Sequence, residues 1–214
     1  AVNRLEMQYR IVRAKIEDKL ISFNYDNDNV KIKVEDFEYK YDILIDPGHG
    51  GSDVGATRNG IYEKNITLDV SKKVVDLLRK KGYQVYMTRD KDETVSLQDR
   101  VAISENISPD VFVSIHVNSS NSDSPTGLET HYYKDNSLTL AKNVHASLLN
   151  HVNSKDRGLF KSKFYVINHT TAPAILVEIG FISSPIERAQ LVSESRKQAT
   201  AKAITEGIDD YFKK

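Results

Sequence analysis

Three short apolar runs constrain this 214-residue chain more than any other feature. Ile43-Leu44-Ile45-Asp46-Pro47-Gly48-His49 ends in histidine, and so does Val111-Phe112-Val113-Ser114-Ile115-His116. The third, Ala174-Ile175-Leu176-Val177-Glu178, ends in glutamate. Runs this short and this rich in β-branched residues mark strands buried on both faces. In open α/β sheets, ligands bind just beyond the carboxyl ends of such strands. Polar groups delivered there by three strands converge on one crevice, and a metal-dependent hydrolase is built that way.

The rest of the chain from Tyr41 onward supports that sheet. Residues 41–46 read as a strand, followed by a Gly-rich loop from Gly48 to Gly60. A helix over 65–81 places Ile66, Val70, Val74, Leu77 and Leu78 on one stripe, and Gly82 stops it. Strands follow at 83–88 and 110–117, separated by a helix over about 97–106. A polar loop, 118–125, leads to a strand at 128–133. After it come a helix over 138–152, a short strand at 164–167 and the last strand at 174–179. Ser184-Pro185-Ile186-Glu187 combines an N-cap serine, a proline at the first helical position and a glutamate at the third, opening a closing helical region that runs to about Phe212. Alternating strands and helices predict an α/β fold with a mostly parallel twisted sheet and helices on both faces.

Residues 1–40 read differently. The apolar spacing over 3–20 is loosely helical, and residues 21–39 alternate around Asp26-Asn27-Asp28-Asn29, the pattern of a β-hairpin. The expected organisation is an N-terminal appendage over 1–40, helix plus hairpin, and a single larger domain over 41–214.

Composition excludes several function classes. Thirty basic and thirty acidic residues balance, which gives no footprint for nucleic acid. No apolar run approaches the roughly 20 residues of a membrane span, and no signal peptide is visible. The chain has no cysteine, which removes thiolate nucleophiles and cysteine-ligated zinc.

Each candidate residue has a plainer alternative. His49 sits in a glycine turn that lacks the Gly-Lys-Ser/Thr ending of a phosphate loop. His116 could be a core histidine, and Glu63 a helix-start acid favoured by the macrodipole. Together, two histidines and a carboxylate make a common catalytic zinc set that leaves room for water. Glu178 lies in a strand too apolar for an unpaired carboxylate, which must be paired or protonated. Either Arg157 forms an ion pair with it, or it serves as a general base with a raised pKa. His131, His145, His151 and His169 read as structural or surface residues.

The motifs Ile-Asp-Pro-Gly-His49-Gly-Gly, Glu63-Lys64-Asn65, Thr88-Arg89, Ser114-Ile115-His116-Val117-Asn118 and Leu176-Val177-Glu178-Ile179-Gly180-Phe181-Ile182-Ser183 occur here in order. In this the chain from Tyr41 to Phe212 resembles the zinc-dependent N-acetylmuramoyl-L-alanine amidases of the amidase-3 class, bacterial cell-wall hydrolases. The resemblance implies one zinc ion held by His49, Glu63 and His116, with Glu178 as the catalytic glutamate. It implies peptidoglycan as the partner, cleaved between the N-acetylmuramic acid lactyl group and L-alanine, in an extracytoplasmic location. Asn118 and Arg157 are expected to contact substrate, and Arg89 and Arg100 to support the fold. Some relatives carry a helical insert that plugs the zinc site until an activator arrives. The stretch between Tyr133 and Leu138 is too short for such a plug, which predicts an open cleft or control by other means, a protein activator or targeting partner among them. Two alternatives share these residues: a zinc peptidase acting on wall peptides, and a non-catalytic wall-binding module.

Overall fold

A computed structural model of the chain describes residues 15–16, 19–26, 29–36 and 39–213. The chain divides into two compact units, residues 1–40 and 41–214. The first contains three strands, β1 (Lys15–Ile16), β2 (Lys19–Asp26) and β3 (Asn29–Asp36), in an antiparallel sheet of order β1-β2-β3. Asp26 faces Asn29 across the β2–β3 pair, at the cluster that the alternating pattern places between two strands. The helical spacing over 3–20 gives way to strand at residues 15–16 and 19–20, and residues 1–14 lie outside the described residues.

The second unit is built on a six-stranded sheet. Its strands are β4 (Asp42–Pro47), β7 (Gln84–Met87), β8 (Val111–Asn118), β9 (Leu128–Tyr132), β10 (Asp156–Lys161) and β11 (Ala174–Phe181). A small hairpin, β5 (Thr57–Arg58) and β6 (Ile61–Tyr62), interrupts the Gly-rich loop. The sheet order is β10-β9-β11-β8-β4-β7, and every pair is parallel except β9–β11. β9 and β10 therefore run against the other four, so that their starting residues lie beside the carboxyl ends of β8 and β11.

Two-residue periodicity divides the core. Ile43, Ile45, Val113, Ile115, Ile175 and Val177 point to one face. There they pack on α1 (Glu63–Lys80) and α3 (Leu138–His151), and α6 (Glu194–Phe212) packs on both of these helices. Leu44, Phe112 and Leu176 point to the other, against Ile103 and Ile107 of α2 (Leu97–Ile107) and Val166 and Ile167 of α4 (Tyr165–His169). Helices thus cover both faces of a mostly parallel sheet.

Three details depart from the sequence reading. The aromatic and β-branched run 164–167 is not a strand; it opens α4, whose Val166 and Ile167 fill the second core. The edge position goes instead to β10, whose charged sequence Asp-Arg-Gly-Leu-Phe-Lys has a weak strand pattern. The closing helical region is two helices, α5 (Pro185–Leu191) and α6, because Ser193 accepts a hydrogen bond from the Arg196 amide and caps a new start. Ser184 caps α5 as its pattern predicts, but Glu187 turns away from the capping box. Its carboxylate accepts from the amides of Phe181 and Gly127 and from Ser154 Oγ.

Candidate metal centre

The carboxyl ends of β4 and β8 and the start of α1 bring three side chains together. The donor atoms of His49, Glu63 and His116 lie within 4.8 Å of one another. His49 Nε2 is 3.2 Å from Glu63 Oε2, and His116 Nδ1 is 3.0 Å from Glu63 Oε1. Glu63 is buried, while the histidine side chains keep 24% and 19% of their surface exposed, so the cluster is reachable from solvent. His49 itself adopts a left-handed backbone (φ 60°), uncommon for a residue with a side chain. Gly55 (φ 67°) fits where a Cβ would stand 2.6 Å from the His49 ring and 2.7 Å from Glu63 Oε2. The glycine is therefore needed for the close approach of His49 and Glu63 as well as for the turn.

Polar contacts fix each donor. The Ala56 and Val117 amides donate to Glu63 at 2.8 and 2.9 Å. Burial alone would raise the Glu63 pKa, but His116 and His49 outweigh it and hold the carboxyl well below the ordinary carboxylate range. His49 Nδ1 meets Asp53 Oδ2 at 2.8 Å, the carboxylate–histidine pairing typical of metal ligands. Burial lowers the His49 pKa, and the hydrogen bond and charge of Glu63, then of Asp53, more than reverse that.

Two arginines hold the loop from below. Arg89 donates to the carbonyls of Pro47, Gly48 and Lys64, and Arg100 to those of Pro47 and His49. Arg100 also pairs with the fully buried Asp46 at 2.5 Å, and Thr88 and Ser114 donate to the same carboxylate at 2.6 and 2.7 Å. Desolvation pushes the Asp46 pKa up, and the Arg100 charge and these hydrogen bonds bring it below its usual value.

Glu178 stands opposite His116 across the β11–β8 pair. Its Oε2 is buried without a hydrogen-bond partner among the described residues. Burial, then the charges of Glu63 and Glu129, raise its pKa well above the ordinary glutamate value. The ion pair with Arg157 that the sequence left open is not formed. Arg157 Nε instead reaches Glu129 Oε1 at 2.5 Å, because Glu129 sits on β9 between Glu178 and the β10 edge. Asn118 Nδ2 donates to Glu129 Oε2 at 3.0 Å, and His131 Nε2 lies 3.3 Å from the same atom.

All six residues singled out from sequence (His49, Glu63, His116, Glu178, Asn118 and Arg157) therefore lie along one end of the sheet. Sequence reasoning missed Glu129 and Asp53. An acid four residues after His49 in a glycine loop was the available signal for Asp53. Glu129 and His131, on one face of a strand, were the signal for the second cluster. His131, assigned to structure or surface, is buried against Glu129 and stacks on Phe160. His145 is structural, bridging Thr130 and Asp156. A cleft of about 360 Å³ opens beside His49 and His116, walled by Val95, Leu97, Phe164, Tyr165 and Leu176. Between β9 and α3 the chain makes only a 3₁₀ turn, Asp135–Ser137, with no inserted helix to cover it.

This geometry has relatives. The family model described as N-acetylmuramoyl-L-alanine amidase matches residues 43–210. The chain belongs to that amidase family. It is 41% identical to the uncharacterized protein YqiI of Bacillus subtilis, over 79% of this chain and 84% of that one. It is 37% identical to the probable cell wall amidase LytH of Staphylococcus epidermidis, over 79% of this chain but only 58% of LytH, so it spans little more than half of that relative. Among solved structures, the N-acetylmuramoyl-L-alanine amidase of Clostridium difficile 630 superposes with a TM-score of 0.80 at 37% identity, over 82% of this chain and 98% of that one.

Proposed function

We propose that this amidase is a zinc enzyme that hydrolyses the amide between the lactyl group of N-acetylmuramic acid and L-alanine in peptidoglycan, with Glu178 moving the proton. The observation that carries the reading is the contrast at the site: two histidines and a Glu63 bonded through both oxygens, beside a half-buried glutamate whose buried Oε2 has no partner among the described residues. His49, Glu63 and His116 would hold the ion, and a nitrogen–nitrogen–oxygen donor set of this kind suits zinc and leaves a position open. Zinc bound there would supply a Lewis acid for the scissile carbonyl and lower the pKa of water to about 7.

The chain's own residues do the rest. Asp53 orients the His49 ring through Nδ1 and fixes its tautomer. Glu178 Oε2 takes the proton of the attacking water and returns it to the departing alanine amine, the work of a general base whose raised pKa lies nearer neutrality. The apolar walls of the cleft limit water around the reacting bond. The catalytic unit is residues 41–214 and residues 1–40 are an appendage. Action on the wall is extracytoplasmic; no described helix is long and apolar enough to cross a membrane.

Digestion of purified peptidoglycan by the zinc-loaded protein tests this. New alanine amino termini on released stem peptides are expected. New termini at any other residue would replace the amidase with a peptidase, and wall binding without release would leave only a binding module.

A further inference from the structure

The cleft end of the sheet carries more than the metal and its base. Read across neighbouring strands from β4 to β10, the polar side chains are His49, His116, Glu178, Glu129 and Arg157. Arg157 ends that row at an irregularity. Asp156 pairs with Leu128 and Gly158 with Glu129, so Arg157 is the extra residue of a β-bulge. Bulges re-aim a side chain and recur beside active sites.

Three contacts fix where this arginine points. Its Nε donates to Glu129, its guanidinium lies 4.9 Å from the centre of the Phe181 ring, and its stem crosses Gly127. A Cβ on Gly127 would stand 2.6 Å from Arg157 Cγ, and the Gly127 amide is itself tied to Glu187. Nothing comparable occupies the other end of the guanidinium. Among the described residues its two Nη atoms have no hydrogen-bond partner, and a third of the side chain is exposed. A prepositioned guanidinium with a free fork is a receptor for a carboxylate, which it binds with two parallel hydrogen bonds.

We propose that Arg157 binds a free carboxylate of the stem peptide and so selects unamidated substrate. The inference rests on the amidase reading and extends it. Arg157 lies two strands from Glu178, about 10 Å at the usual spacing of about 4.8 Å. An extended peptide covers that distance in two to three residues at roughly 3.5 Å each. The group it meets is therefore a carboxylate on the second or third residue after the scissile amide. Glu129 is a positioning residue: its charge holds Nε and turns the Nη fork outward.

Calorimetric binding to the zinc-loaded protein tests this without turnover. The probes are L-alanyl-γ-D-glutamate, its α-carboxamide, and tripeptides with a free or amidated third residue. Wild type is expected to bind one free-carboxylate probe about tenfold or more tighter than its amide, the scale of one hydrogen bond to a charged group. Preference within the dipeptide pair assigns the second residue; preference only within the tripeptide pair assigns the third. Arg157→Gln should erase the ratio and Arg157→Lys restore part of it, with melting temperatures reporting that both fold. Equal binding of free and amidated probes by wild type, no binding of any probe, or an unchanged ratio in Arg157→Gln would overturn the proposal. Release of alanine-ended peptides from peptidoglycan, followed in parallel, separates failure here from failure of the amidase reading.

Discussion

Glu63 and Glu178 are two glutamates of one site with opposite surroundings. Glu63, at the start of α1, contacts two histidines and two backbone amides and is held ionised. Glu178, within a strand whose neighbours are buried on both sides, keeps an oxygen without a partner among the described residues and a raised pKa, with burial first among the causes. On the proposed function, the same side chain serves as a ligand in one setting and a proton carrier in the other. Environments that push two carboxyl groups apart in this way are how acid–base roles are assigned.

Breaking the Glu63 side should have the largest effect. Glu63→Ala removes one donor and the bridge between the histidines, so the purified protein should hold no stoichiometric zinc and turn over at background, read by elemental analysis and peptidoglycan release. Next comes the scaffold beneath both glutamates. Asp46→Asn leaves Arg100 buried without its partner and should cost about 3–5 kcal/mol of stability at neutral pH by chemical denaturation. The folded pKa of Asp46 lies below its unfolded value, so its stabilisation is full above about pH 4. It is lost as pH falls through the folded pKa, and the gap between wild type and Asp46→Asn should narrow there. The smallest effect belongs to Asp53, whose carboxylate is 60% exposed. Asp53→Asn should weaken zinc binding by about tenfold, the lower end for an outer partner of a metal-bound histidine, measured by chelator competition.

The contrast between the two glutamates was partly legible in the sequence. Glu178 announced itself because Ile-Leu-Val before it and Ile-Gly-Phe after it leave a carboxylate in an apolar strand. His49 and His116 stood out for the same reason, at the ends of strands whose burial their composition fixes. Glu63 looked like any acid at a helix start until the histidines were set beside it. What stayed hidden depends on pairing between distant segments. β10 is an edge strand with charges and a glycine, so its place is set by the sheet and not by its own pattern. Residues 164–167 have strand-like composition, yet their burial against Leu44 and Phe112 is satisfied by a short helix. Glu129 joins the site only because β9 runs antiparallel to β11 and brings it opposite Glu178. No spacing along the chain carries that information.

The central claim is that Glu178 serves the chemistry and not the metal. Zinc content and peptidoglycan turnover measured on one preparation of Glu178→Gln test it most directly. The account predicts zinc at the wild-type level and turnover lower by about 100- to 10,000-fold, the loss expected for a general base. A Glu178→Gln protein that loses its zinc, or that keeps both zinc and turnover, would contradict it.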